Sequence, residues 1–441
     1  MRALRREPSL LVVLLLCVGL LLAFVLYPQV QVVVVPGLGG YRDFFLDPFN
    51  WRQPLLNSLQ VMALSTPSAV VLGFVYAYAM VYSDMPWKPF FRVIGILPLL
   101  SPPFVVAASY ILLFGPRGVI SYGLFGVSPD VLGLGGIWGV QTIAFFPFAY
   151  QLIADVLARS DPRLEQAARN LGAGAWRIFW TVTFPLARPG LLAAALTTAI
   201  YVLEDFGNPA LIGGRFTVLP TQAYGLISGF GDFVGAAAVS TILLVLALVL
   251  YLVKLRLEGR SGFVTVSGRA SSMPRPPVPA VVTWSCFLLC LLLAGLLVLV
   301  YGVLVVSAFA TTFPSRLAPT FAHFVFVGTH SRALVNTLVF AGSAAVVCAL
   351  LAGLLAFLVQ RRSWPGRRAV DFLCILPAAV PGIFFGIGYA TAFNQRWIAD
   401  AATWLLGSAD ISWLLIPLSM VFWNIPVGYQ AASAGLQQID R

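Results

Sequence analysis

Charge is scarce in this sequence. Asp, Glu, Lys and Arg make up 10% of its 441 residues against 60% hydrophobic residues, and mean hydropathy is +0.92. So few charges cannot cover so much apolar surface in water, which excludes a soluble domain. Period-two alternation over barrel-strand lengths is missing as well, which favours helices over a membrane barrel. Histidine occurs twice, at His323 and His330. No Cys or carboxylate stands nearby, so both read as loop histidines, with metal ligation the alternative. The five cysteines all lie inside apolar runs, and Cys286 and Cys290 share a helix face without a ligand cluster around them, a pattern of packing. There is no G-x4-G-K-[ST] phosphate loop and no catalytic grouping of Ser, His and Asp or of paired carboxylates. The chain is therefore expected not to be an enzyme, and any nucleotide hydrolysis is expected in another subunit.

Long apolar runs are what the sequence does have. Ten of them cover about 9–27, 55–82, 91–114, 133–157, 189–207, 236–253, 280–308, 334–359, 370–393 and 411–436. At ~1.5 Å per residue such lengths cross a bilayer as helices. The expected fold is an all-α polytopic membrane protein. With the N-terminus on the cytosolic side and the spans alternating, twenty of the 27 Lys and Arg residues fall on that side. This is the asymmetry that orients membrane proteins. The net charge of +11 then reflects topology, and nucleic acid is not an expected partner.

The second half repeats the first at a constant shift of 279 residues. Asn57 matches Asn336, Pro86 matches Pro365, Pro98 and Pro102 match Pro377 and Pro381, and Tyr110 matches Tyr389. Pro147, Tyr150 and Gln151 match Pro426, Tyr429 and Gln430. Equivalent spans are six apart, so both copies cross in the same sense, a parallel repeat that places a pathway between two similar units. The sequence divides into a first unit at 1–253, a charged, Ser- and Pro-containing linker at 254–279, and a second unit at 280–441. The second unit stops at the position matching the start of the first unit's cytosolic insert. It is expected to be incomplete, lacking a second insert and two further spans, and to be inactive alone.

That insert, about 160–188, is the most specific feature of the chain. Gln166-Ala167-Ala168, three residues, Gly172, nine residues, Val182, one residue, then Phe184-Pro185 resembles the EAA loop of binding-protein-dependent ABC importer permeases, E-A-A-x3-G-x9-I-x-L-P. Gln166 replaces the family's Glu, and Glu165 supplies a carboxylate one position earlier. The residues fit the resemblance physically. Ala167, Ala168 and Leu171 form a narrow face for close approach to a partner. Gly172 and Gly174 permit a left-handed or open turn between two short helices. Pro185 and Pro189 are expected to break the second helix before the next span. The alternative is an amphipathic helix resting on the membrane surface. The resemblance implies that Glu165, Gln166, Ala167, Ala168, Gly172 and Pro185 couple the chain to a cytosolic ATPase dimer. It also implies an external or periplasmic solute-binding protein as partner, a location in the bacterial inner membrane, and ATP bound by the partner with no cofactor in this chain.

The run Asp205-Phe206-Gly207-Asn208-Pro209, followed after three residues by Gly213-Gly214, is similar to a segment of fused iron(III)-type permeases, as is Gly262–Gly268 in the linker. This resemblance implies iron(III) as the solute, with phosphonate, sugar phosphate or thiamine as alternatives within the same machinery. Glu204 and Asp205, near the outer end of the fifth span, either face the pathway or cap the span at the headgroup boundary. Asn57, Asn336, Tyr110 and Tyr389 either line a pathway between the units or hydrogen-bond between helices. A secondary transporter with parallel repeats is the rival class. It would need ionisable residues at mid-membrane, and the sequence places its charges in loops or at span ends.

Overall fold

The computed structural model describes residues 8–102, 104–260, 277–362, 364–406 and 411–438. The linker run Gly262–Gly268 lies outside them. The chain begins with α1 (Pro8–Leu21), a π-helical segment (Leu22–Leu26) and α2 (Tyr27–Val34), which together form one apolar rod, followed by the short α3 (Gly37–Leu46). Next come α4 (Pro48–Tyr82), α5 (Lys88–Leu100), α6 (Phe104–Phe114) with a π-helical segment at Val119–Leu124, and α7 (Leu134–Arg159). The insert supplies α8 (Pro162–Asn170) and α9 (Ala175–Ile178). Helices α10 (Phe184–Glu204), α11 (Gly207–Ile212), α12 (Leu219–Phe230) and α13 (Phe233–Arg260) complete the first repeat. The second repeat runs through α14 (Ala280–Ala308), a hairpin of β1 (Ala310–Thr312) and β2 (Arg316–Pro319), and α15 (Ala322–Thr329). It continues through α16 (Arg332–Gln360), α17 (Arg367–Ile375), α18 (Gly382–Phe393), α19 (Arg396–Leu406) and α20 (Ser412–Gln438).

Among the described residues nine helices are long and apolar enough to cross a membrane, or ten if the bent pair Arg367–Ala379 and Gly382–Phe393 counts as one span. The apolar run at 91–114 is not one straight span. Its helix stops at Leu100, Ser101 is extended, and the crossing-length helix is Phe104–Leu124. Pro102 forces this, since it offers no N–H to the helix and drives the residue before it away from helical angles. Pro381, its counterpart, gives the 111° bend of the second repeat. The repeat extends to backbone detail. Trp87 precedes α5 in the left-handed region at φ +60°, and its counterpart Gly366 precedes α17 at φ +95°.

Contacts divide the described residues into two compact units, and they do not follow the sequence repeats. One unit takes Pro54–Val218 and Val249–His323, the other Met1–Gln53, Leu219–Leu248 and Phe324–Arg441.

In the first of these, α14 joins the first repeat's helices. Cys286, Cys290, Leu293 and Leu297 share a buried core with Tyr76, Phe91, Phe146 and Tyr150. Val300 and Val303 pack with Val106 and Leu113 of α6. The Tyr301 hydroxyl lies 2.7 Å from that of Ser101, at the break between α5 and α6. The paired thiols of α14 are therefore packing groups, and all five cysteines are buried and free.

In the other unit, the rod of α1 and α2 packs against the second repeat. Phe24 stacks on Phe393 and Phe422 at centroid distances of 5.6 and 5.1 Å. Gly388 allows a close approach, because a Cβ there would stand 2.8 Å from the Pro28 carbonyl oxygen. The opening span of each repeat thus packs with helices of the other repeat.

Candidate functional site

The insert forms a helix, a tight turn and a second helix that runs on into a span. Asp161 starts α8 by accepting the backbone N–H of Arg163 at 3.0 Å, and Pro162 occupies the first turn where its missing N–H costs nothing. Helix α8 ends at a left-handed Gly172, φ +86°, whose N–H donates to the Arg169 carbonyl at 2.9 Å. That conformation costs an ordinary L-residue roughly 1–2 kcal/mol, so glycine stands where the turn needs it.

The second helix does not stop at the prolines, contrary to the sequence expectation. α9 passes through a π-helical stretch, Phe179–Thr183, directly into α10, and the whole helix is Ala175–Glu204. Pro185 sits in the first turn of α10, just after the wide π turn. There the i−4 hydrogen bond that proline lacks is already displaced by the change in helix type.

The six coupling candidates divide by exposure. Ala167 is exposed, and Gln166, Ala168 and Pro185 are half-buried. Leu171, at the tip beside the exposed Gly172, is 89% exposed, and Trp176 across the turn is 75% exposed. Two large apolar side chains are thus held out on this turn. Glu165 points the other way. It is 4% exposed, and its Oε1 accepts the Tyr82 hydroxyl at 2.8 Å and the Thr183 hydroxyl at 3.0 Å. On the same helix, Arg169 donates to the Pro277 carbonyl at 2.8 Å, just before α14. Sequence reasoning placed Glu165 among the coupling residues without finding Tyr82 or Thr183. The signal open to it was helical phase: Glu165 and Leu171 are six residues apart and fall on different sides of the helix.

A second group of residues meets at the other end of α10. The helix ends at Asp205, which is buried and accepts Gln141 Nε2 and Asn208 Nδ2, each at 2.9 Å, and the Asn208 N–H at 3.2 Å. Gln141 lies on α7 and Asn208 on α11, so one carboxylate fastens three helices. Glu204 beside it is different, with a buried Oε1 that finds no hydrogen-bond partner among the described residues.

The remaining candidates are not equivalent in their surroundings. Asn57 is buried within α4 and donates to the Thr217 carbonyl at 2.7 Å. Asn336 is exposed near the start of α16. Tyr110 is half-buried and packs on Phe114 at 5.4 Å. Tyr389 is buried and donates to the Phe24 carbonyl at 2.8 Å. His323 contacts the Ala310 carbonyl at 3.0 Å, and His330 stacks on Phe326.

Residues 53–261 match the family described as binding-protein-dependent transport system inner membrane component. The chain is 29% identical to the putative ferric transport system permease protein FbpB 1 of Haemophilus influenzae, over 97% of this chain and 69% of that protein. It is equally identical to the ferric transport system permease protein FbpB of Actinobacillus pleuropneumoniae, over 97% of this chain and 64% of that protein. The chain thus spans about two thirds of the length of these two relatives. The molybdenum transport system permease protein ModB of Escherichia coli is 33% identical over 47% of this chain and 92% of its own length. Among solved structures, a bacterial alginate ABC transporter in complex with an alginate pentasaccharide-bound periplasmic protein superposes with a TM-score of 0.50. That match is 19% identical and covers 59% of this chain and 96% of the matched one, so it speaks for the fold alone. The exposed turn of α8 and α9 lies inside the matched family region, ModB is covered almost from end to end, and the chain belongs to the family of inner membrane components of binding-protein-dependent transport systems.

Proposed function

We propose that this protein is the permease of an ATP-driven importer, gripped at α8 and α9 by a cytosolic ATPase dimer and served on the opposite face by a solute-binding protein. The observation that carries this reading is the insert itself. Two short helices, a left-handed glycine and a protruding Leu171 and Trp176 form a rigid apolar surface on a segment rich in Arg. Basic side chains are expected on the cytosolic side, and this supports both a cytosolic insert and a cytosolic N-terminus. Nucleotide-driven closure of the ATPase would move α8, and the spans attached to it would open the pathway alternately to the two sides.

The solute favoured is ferric iron. The relatives named for ferric transport align along 97% of the chain, whereas the molybdenum relative aligns along 47%. Glu204 at the end of α10, with a buried oxygen that finds no hydrogen-bond partner among the described residues, is the pathway residue proposed here, with iron as cargo rather than as a resident metal. The test is deletion of the gene in its own host. Uptake of labelled ferric iron should fall and molybdate uptake should not. Loss of molybdate uptake with iron uptake intact would contradict the substrate assignment.

A further inference from the structure

Among the described residues Asp205 and Glu165 are buried as whole side chains, and Glu204 has one buried oxygen. Glu165 is the unusual one, because it belongs to a helix whose exposed residues are the docking surface. A carboxylate withdrawn from water is costly unless donors replace the water. Here two hydroxyls do so at a single oxygen. Tyr82 is the last residue of α4, and Thr183 the last of the π turn that leads into α10. Both donors are themselves buried, at 6% and 4% exposure. Helix α8 has nine residues, too few to hold itself rigid in water. The small side chains of Ala167 and Ala168 suit close contact and offer little grip on the spans.

The geometry points to Glu165 as the positioning residue through which α8 drives α4 and α10, with Tyr82 and Thr183 as its anchors. This rests on the reading of α8 as the ATPase-docking helix. Displacement of α8 carries the shared carboxylate oxygen with it, and both spans follow. Helix α10 delivers the shift to its far end, where Asp205 binds Gln141 and Asn208.

The test uses the full-length protein purified from native membranes with whatever ATPase accompanies it. Arg215, exposed beyond α11, is changed to Cys as a reporter of the far end of α10. Its maleimide labelling is compared with and without ATP and vanadate, in the parent and in Tyr82→Phe with Thr183→Val. The parent should show a several-fold nucleotide response, and the double variant should retain its ATPase but lose the response. Amide exchange across α8 should rise about tenfold or more once both charge-assisted hydrogen bonds are gone. Thr183→Ser should keep the response, and each single substitution should reduce it, which covers a double variant that fails to fold. An unchanged response in a double variant that retains ATPase overturns the inference alone. A parent that captures no ATPase overturns the reading of α8 and the inference with it.

Discussion

The hydroxyl of Tyr389 donates to the carbonyl of Phe24 at 2.8 Å, inside the π-helical segment Leu22–Leu26 and one turn before Pro28. Proline cannot supply the N–H that an α-helix would offer that oxygen four residues on, and the local π winding changes the pattern there. The sequence offers Tyr389 as a pathway residue or an interhelix bond, and the structure places it buried, with its hydroxyl on the backbone of the opening span. Removing that hydroxyl removes a hydrogen bond between the opening span and α18. Tyr389→Phe should destabilise the detergent-solubilised protein by ~1 kcal/mol, read as a lower Tm. Tyr110→Phe, at the matching position where the ring packs on Phe114, should cost less than half of that.

Gly73 and Ala149 meet in one repeat, and Ala352 and Gly428 meet at the matching positions in the other. A Cβ added at Gly73 would lie 2.8 Å from that of Ala149, and one at Gly428 would lie 2.9 Å from that of Ala352. Each pair carries one methyl, on opposite helices in the two repeats, and a Cβ at Gly73 would also lie 2.8 Å from the Tyr150 backbone nitrogen. Gly73→Ala should destabilise by about 1–3 kcal/mol through overpacking. Adding Ala149→Gly should recover only part of the loss, because the Tyr150 backbone nitrogen still crowds the added Cβ, as measured by a double-mutant thermal unfolding cycle.

Much of this architecture is legible in sequence, and particular residues show where legibility ends. The breaks at Pro102 and Pro381 follow from local chemistry, and so does the turn at Gly172. The continuity of α9 into α10 does not, because proline's effect depends on the π turn that precedes it. Asn57 and Asn336 match in sequence, yet one is buried against Thr217 and the other exposed. Residue identity does not carry the identity of its neighbours. The packing of α14 with first-repeat helices has no local signal either, since an apolar span reads the same whichever partner it meets. Glu165 was found by its neighbourhood in the motif, and its inward direction became visible only with Tyr82 and Thr183 beside it.

Asp205→Ala should be the most damaging change at the end of α10. It strands the Gln141 and Asn208 amides, both fully buried. A loss of ~3 kcal/mol or more is expected, seen as a fall in folded protein by size-exclusion chromatography. Glu204→Gln should be close to neutral for stability, because Glu204 Oε1 is buried without a partner among the described residues and the amide has nearly the same size and no charge. Because Glu204 is proposed on the pathway, ferric iron uptake should nevertheless fall in that variant.

The central claim is that α8 and α9 form the surface an ATPase grips, and one measurement tests it directly. The full-length protein is captured from native membranes in mild detergent, alongside Leu171→Asp and Gly172→Pro, and the co-purifying proteins are identified by mass spectrometry. Leu171 is 89% exposed, so Leu171→Asp should leave folding and membrane level unchanged. Proline at 172 can meet neither the left-handed φ of +86° nor the N–H bond to Arg169, so it should reshape the turn. The account predicts an ATPase with the parent protein and its loss from both variants at equal membrane levels. An ATPase retained by both variants, or none with the parent, would contradict it.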